Sequence, residues 1–180
     1  IETLLSQAKK CGEILKKLSK REIVDDKYVL NISMQDLLFE ITKSFEEISQ
    51  KKINLKTDQA IKTIPIRRSP EITYGIRNFI GNAVKFSNNK VDVELISKNN
   101  QLKILIMDDG PGFPNDVFNM IGEPYISSRY KNYKNKSGLG LGTFIGKTLL
   151  ERKKAIINFS NKNKSGALVE IIWKISDIKF

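Results

Sequence analysis

An α/β fold on one domain is what these 180 residues predict, and three observations carry it. A capped amphipathic helix occupies the middle of the chain, a β-hairpin follows it directly, and two further alternating segments close the sequence after another helix. The length suits one domain with a short appendage, and 40% hydrophobic with 28% charged residues is globular composition.

Ile1, Leu4, Ala8, Cys11, Leu15 and Leu18 alternate three- and four-residue spacings, so residues 1–20 predict a helix with an a/d seam. A seam of that kind needs a partner, and no later segment matches it; the alternative is a terminal helix packed on its own domain. Residues 21–33 are weakly patterned and read as a linker, leaving 34–180 as the domain. A helix is expected from Met34 to Gln50, with Leu37, Leu38, Ile41, Phe45 and Ile48 on one side. Ile53–Thr57 and Thr63–Ile66 are short strand candidates.

Ser69 as N-cap, Pro70 at the first helical position and Glu71 in the first turn then open a helix whose apolar face is Ile72, Ile76, Phe79, Ile80, Ala83 and Val84. It ends near Ser87-Asn88-Asn89. Val91, Val93 and Leu95 alternate with Asp92, Glu94 and Ile96, Asn99-Asn100 make a turn, and Leu102–Met107 returns as the second strand of a hairpin. Residues 128–137 are basic and polar and carry no regular pattern. Gly138-Leu139-Gly140-Leu141-Gly142 opens a helix reaching about Lys153, and Ala155–Ser160 and Ala167–Ile175 are the last strands.

Composition removes several chemistries. With no histidine, the chain houses no histidine base, Ser-His-Asp triad or histidine-ligated metal. One cysteine excludes an internal disulfide and a thiolate zinc site. No apolar run approaches the roughly 20 residues of a membrane span, and there is no signal-peptide pattern. A start at Ile1 rather than Met is expected of a piece of a longer protein. The net charge of +11 points to an anionic partner without choosing among nucleic acid, membrane and phosphorylated ligand.

Three short motifs bear on that choice. Asn78, Asn82 and Lys85 fall at i, i+4 and i+7 of the capped helix, two amides and an ammonium on one stripe roughly opposite the apolar face. Amide oxygens suit magnesium and the ammonium suits phosphate, although such a stripe also reads as a solvated helix face. Asp108 ends an apolar strand just before Gly110 and Gly112, where a carboxylate can accept from an exocyclic amine such as that of adenine and glycines admit a flat ring; alone, the segment also reads as a turn. Gly138, Gly140 and Gly142 lead into a helix N-terminus, an arrangement that cradles phosphate oxygens. Their spacing is neither the dinucleotide fingerprint nor a phosphate loop.

Taken in order, Asn78-x-x-x-Asn82-Ala83-x-Lys85-Phe86, Asp108-x-Gly110-Pro111-Gly112 and Gly138-x-Gly140-Leu141-Gly142 resemble the asparagine box and the two glycine boxes of the ATP-binding superfamily shared by DNA gyrase, Hsp90-type chaperones, mismatch-repair ATPases and sensor histidine kinases. The resemblance covers about residues 34–176. The hydrolysing branches place a glutamate base four residues before the metal-binding asparagine; here that position is Asn78, and a carboxamide takes no proton at neutral pH. Lys85-Phe86 and Glu123-Pro124-Tyr125, which looks like the kinase F box, favour the kinase branch. Residues 122–129 and 138–152 are similar to redox-responsive sensor kinases of the RegB/PrrB type, as is Cys11-Gly12-Glu13-Ile14-Leu15.

The resemblance implies a two-layer α/β sandwich of the Bergerat type, a mixed and largely antiparallel sheet against helices, preceded by the end of a dimerisation and phosphotransfer helix. It implies the ATP-binding catalytic domain of a two-component sensor histidine kinase, with ATP and Mg²⁺ as cofactors and the phosphoacceptor histidine on an upstream helix. Asn82 would hold Mg²⁺, Asn78 would lie near it, and Lys85 would reach phosphate. Asp108 would select adenine over a floor of Gly110 and Gly112, with Gly138, Gly140 and Gly142 flanking the phosphates. Arg129 and Lys131, in the lid, would contact the γ-phosphate or are simply solvated loop charge. Cys11 would be a redox control point or a small buried residue. The implied setting is a homodimer through the N-terminal helix, a response regulator as partner and no nucleic acid. This would be the cytoplasmic domain of a membrane-anchored inner-membrane sensor. The rivals are a serine kinase resembling anti-sigma-factor kinases and a basic nucleic-acid-binding module.

Overall fold

In a computed structural model, residues 31–57, 64–116, 118–124, 141–162 and 165–179 are described. The seam helix with Cys11, the basic segment with Arg129 and Lys131, and Gly138 and Gly140 lie outside them.

Strand β1 (Asn31–Ser33) leads straight into helix α1 (Met34–Glu46), where Ser33 Oγ caps the helix by accepting the Asp36 N–H at 3.0 Å. Residues 31–33, expected to belong to the linker, instead pair antiparallel with β3 (Pro65–Arg67) in a two-stranded ribbon. Helix α1 is shorter than expected. The Phe45 carbonyl accepts the N–H groups of Ile48 and Ser49, which turns the chain out of the helix and leaves Ile48 81% exposed instead of on the apolar side. The strand expected at Thr63–Ile66 lies at Pro65–Arg67.

Helix α2 (Pro70–Phe86) starts where its cap predicts, with the Ile72 N–H donating to Ser69 Oγ at 3.2 Å. Strands β4 (Lys90–Lys98) and β5 (Gln101–Asp108) form the hairpin, with Asn99 and Asn100 at φ 53° and 59°, the left-handed pair that a two-residue turn between twisted strands demands. A 3₁₀ turn follows at Phe118–Met120. Helix α3 (Gly142–Glu151), strands β6 (Ile156–Asn161) and β7 (Ala167–Lys174), and a short helix α4 (Ile175–Ile178) complete the chain.

The main sheet has the order β2-β4-β5-β7-β6, where β2 is Lys52–Thr57. Every neighbouring pair is antiparallel except β2 with β4. One face of it is apolar: Val91, Val93 and Leu95 of β4, Leu102, Ile104 and Ile106 of β5, and Val169, Ile171 and Trp173 of β7 alternate inward and are buried. Leu37, Leu38 and Ile41 of α1, Ile76, Phe79 and Ile80 of α2, and Leu150 of α3 join the same core. Each such side chain contributes about 1.5–3 kcal/mol by leaving water. The result is the expected mixed, largely antiparallel two-layer arrangement, and residues Asn31–Phe180 make one unit. The C-terminal ends of α2, β5 and β6 and the start of β7 converge at one end of the sheet.

Candidate functional site

The asparagine stripe of α2 is not a bare solvated face, because α3 lies across it. Gly142 and Gly146, one helical turn apart on α3, supply the close approach. A Cβ on Gly142 would stand 3.3 Å from Asn82 Oδ1 and 3.5 Å from Asn78 Oδ1. One on Gly146 would stand 3.2 Å from both Asn78 Cβ and the Gly75 carbonyl. Asn82 Nδ2 donates to Thr143 Oγ1 at 3.1 Å, tying the stripe to the residue after the glycine run. Asn78 Nδ2 donates to the Tyr74 carbonyl one turn back at 2.8 Å, which leaves its oxygen on the Gly142 side. Lys85 is exposed near the end of the helix, with Nζ 5.3 Å from the Phe86 ring centroid. At the other end of the crossing, Lys153 and Glu71 approach to 3.6 Å.

Asp108 and Asp109 point opposite ways, as successive residues leaving a strand do. Asp108 is 5% exposed, and its Oδ1 accepts the N–H groups of Gly110 at 2.8 Å and Ala167 at 3.1 Å. A buried carboxylate is tolerable on those terms, since amide donors replace water. Asp109 accepts the N–H groups of Asn88 at 2.8 Å, Asn89 at 3.1 Å and Lys90 at 3.3 Å, closing the turn between α2 and β4 onto the end of β5. Burial alone would raise its carboxyl pKa, but the amides of Asn89, Lys90 and Asn88 hold it below the usual value.

Glycines bring the backbone into contact around Asp108. A Cβ on Gly110 would run into the Phe86 carbonyl, and one on Gly166 into the Asp108 carbonyl. Gly112 sits at φ +81°, in the left-handed region, with Asn161 Oδ1 where a side chain would begin. Asn161 makes two hydrogen bonds to one residue: its Oδ1 accepts the Phe113 N–H and its Nδ2 donates to the Phe113 carbonyl, both at 2.7 Å.

These pieces enclose one cavity of about 90 Å³, in which Asn82, Asp108, Gly112 and Thr143 meet under apolar walls from Ala83, Phe86, Phe113 and Pro114. A carboxylate at the edge of an apolar, aromatic-walled slot fits a flat heterocycle that offers an amine. Among the described residues no group of three or more His, Cys, Asp or Glu could hold a metal ion. A cation there fits only one that takes few protein ligands and completes its shell from phosphate and water, as magnesium does. Of the expected site residues, Asn82, Asp108 and Gly112 line the cavity. Gly142 roofs the stripe, Asn78 stands behind it, and Gly110 shapes the approach to Asp108 without lining the cavity.

Thr143, Asn161 and Ala167 carry contacts that sequence reading did not single out. Thr143 adjoins the glycine run and was within its reach. Nothing local marks Asn161 or Ala167, whose contacts arise only when the end of β6 and the start of β7 meet the end of β5.

Residues 68–177 match the model of the family described as "Histidine kinase-, DNA gyrase B-, and HSP90-like ATPase". The chain is 36% identical over 126 residues to the sensor histidine kinase RegB of Cereibacter sphaeroides, an alignment covering 61% of this chain and 27% of that protein. It is 27% identical over 89 residues to a putative sensor histidine kinase, NtrY-like, of Rickettsia prowazekii, covering 49% of this chain and 14% of that protein. The chain thus spans about a quarter or less of the length of these relatives. Among solved structures, the mycobacterial sensor histidine kinase MprB superposes with a TM-score of 0.66 at 18% identity, covering 79% of this chain and 95% of that one. Full-length ShkA in complex with AMPPNP gives 0.66 at 20% identity, covering 78% of this chain and 30% of that one. These likenesses show the fold.

Proposed function

Since the chain belongs to the histidine kinase-, DNA gyrase B- and HSP90-like ATPase family, we propose that its cavity binds Mg²⁺-ATP as the catalytic domain of a sensor histidine kinase. The observation that carries this is the meeting of Asn82, Asp108, Gly112 and Thr143, drawn from α2, the end of β5 and α3, in one cavity. Asp108, fixed by two amides, accepts the exocyclic amine of adenine, and the Phe86 and Phe113 walls take the ring faces. Asn82 offers its amide oxygen to the magnesium, whose chemistry is to neutralise and orient the phosphates. Lys85, exposed near the end of α2, would add positive charge on the phosphate side, and α3 begins at Gly142 beside Asn82, where its N-terminus would favour an anion.

Asn78 favours transfer over hydrolysis. It occupies the place of the hydrolytic base, takes no proton at neutral pH, and spends its Nδ2 on the Tyr74 carbonyl. The acceptor is a histidine supplied from outside these residues, because they contain none. The remaining roles follow the same reading: Arg129 and Lys131 on the γ-phosphate, Gly138 and Gly140 beside the phosphates, dimerisation through the N-terminal helix, a response regulator downstream and a membrane-anchored full-length protein. Among the described residues no helix is long and apolar enough to cross a membrane.

Calorimetric titration with a non-hydrolysable ATP analogue, with and without Mg²⁺, tests the core of this. Wild type should bind, more tightly with Mg²⁺, and Asp108→Asn should bind at least tenfold more weakly, the scale of about 1.4 kcal/mol or more for a hydrogen bond to a charged group. Equal binding by Asp108→Asn, or none by wild type, would refute the assignment.

A further inference from the structure

Resting on the reading of the cavity as an ATP site, we propose that Asn161, at the end of β6, is a positioning residue that sets the adenine side of that cavity. Phe113 supplies a wall of the cavity, and its backbone is held at both polar atoms by this one carboxamide, at 2.7 Å each. Its ring is held too: Phe159, on the same strand as Asn161, meets it edge-on at 5.8 Å, and Phe118 at 6.3 Å. The loop from Asp108 to Phe113 is therefore pinned at one end by Ala167 N–H on Asp108 and at the other by Asn161 on Phe113, both from the β6–β7 hairpin. Gly112, between them, has the left-handed φ of +81° and no room for a Cβ beside Asn161 Oδ1. The carboxylate that reads the base and the ring that stacks on it thus take their separation from a single hairpin, and Asn161 fixes its far end. Only a side chain that both donates and accepts can do this, and asparagine does so at the length available.

The test uses Asn161→Ala and the isosteric Asn161→Asp. At neutral pH aspartate accepts from the Phe113 N–H but sets a carboxylate oxygen against the Phe113 carbonyl, so shape is kept while the clamp fails. Both variants should bind ATP roughly three- to tenfold more weakly, the range set by losing one or two ordinary hydrogen bonds. Preference for ATP over ITP, which lacks the amine, should narrow in both. A cooperative melt without nucleotide separates this from unfolding: both variants should be fully folded at the titration temperature, so that the affinity lost is that of a folded protein. ATP affinity unchanged in both variants, or a loss with the ATP-to-ITP ratio intact, would overturn the positioning role. Failure of wild type itself to bind ATP would instead sink the reading of the cavity.

Discussion

The two ends of the cavity are built on different physical terms. At the end proposed for the base, Asp108, Asp109 and the loop after them are bound by backbone amides from Asn88 to Lys90, Gly110 and Ala167, by the carboxamides of Asn88 and Asn161, and by the Lys162 ammonium. At the end proposed for phosphate, the asparagine stripe meets α3 through glycine contacts and, among the described residues, the side-chain hydrogen bond from Asn82 to Thr143. One end is held by directional bonds, which fix its shape at several points. The other is held mainly by the close approach of two helices, with fewer directional bonds. A base of fixed shape suits the first, and a phosphate chain that must change partners during transfer suits the second.

Substitutions can break that contrast. The largest effect is expected from Gly166→Ala, which places a Cβ against the Asp108 carbonyl at φ +101°. Backbone strain and overpacking together should cost about 2–5 kcal/mol in urea unfolding and remove ATP binding. Gly146→Ala attacks the other end. Its Cβ, 3.2 Å from Asn78 Cβ and the Gly75 carbonyl, should lift α3 at a cost of about 1–2 kcal/mol, offset in part by better helix propensity. Mg²⁺-dependent ATP affinity should fall while affinity without Mg²⁺ changes little; equal losses would mean that the two ends do not act separately.

Asp109→Ala removes the clamp on the α2–β4 turn and should cost about 1 kcal/mol or more at pH 7. Its folded pKa is depressed, so its stabilisation is present above the unfolded value of about 3.9 and is lost as pH falls through the folded one. Wild type should therefore lose its advantage over the variant in acid, and urea midpoints between pH 7 and pH 3 should converge. Thr143→Val is the smallest change. It takes the acceptor from Asn82 Nδ2 and should cost under about 1 kcal/mol, with a measurable shift only in Mg²⁺-ATP affinity by calorimetry.

Features with local causes could be read from the chain. Ser69 and Pro70 set the start of α2, Asn99-Asn100 set the hairpin turn, and the alternation in β4, β5 and β7 set the buried face. The three motifs identified the family, as the match over residues 68–177 bears out. What could not be read depends on contacts between distant segments. The stripe of Asn78 and Asn82 gave no sign that α3 would cover it, because that follows from Gly75 and Gly146 meeting across two helices. Residues 31–33 lack a strand pattern because three residues suffice for a ribbon with β3. Ile48 fits the helical period and is nonetheless outside, since the chain turns at Phe45 before reaching it.

The two-residue turn between β4 and β5 also orders events in time. Closing it costs little chain entropy, whereas β5 finds β7 only after everything from 109 to 166 has been gathered in. Loop length therefore favours the hairpin forming early and Asp108 meeting Ala167 late. On the proposed reading, a nucleotide held by Asp108 would stabilise contacts absent from an early barrier, so it should slow the unfolding rate and leave the folding rate nearly untouched.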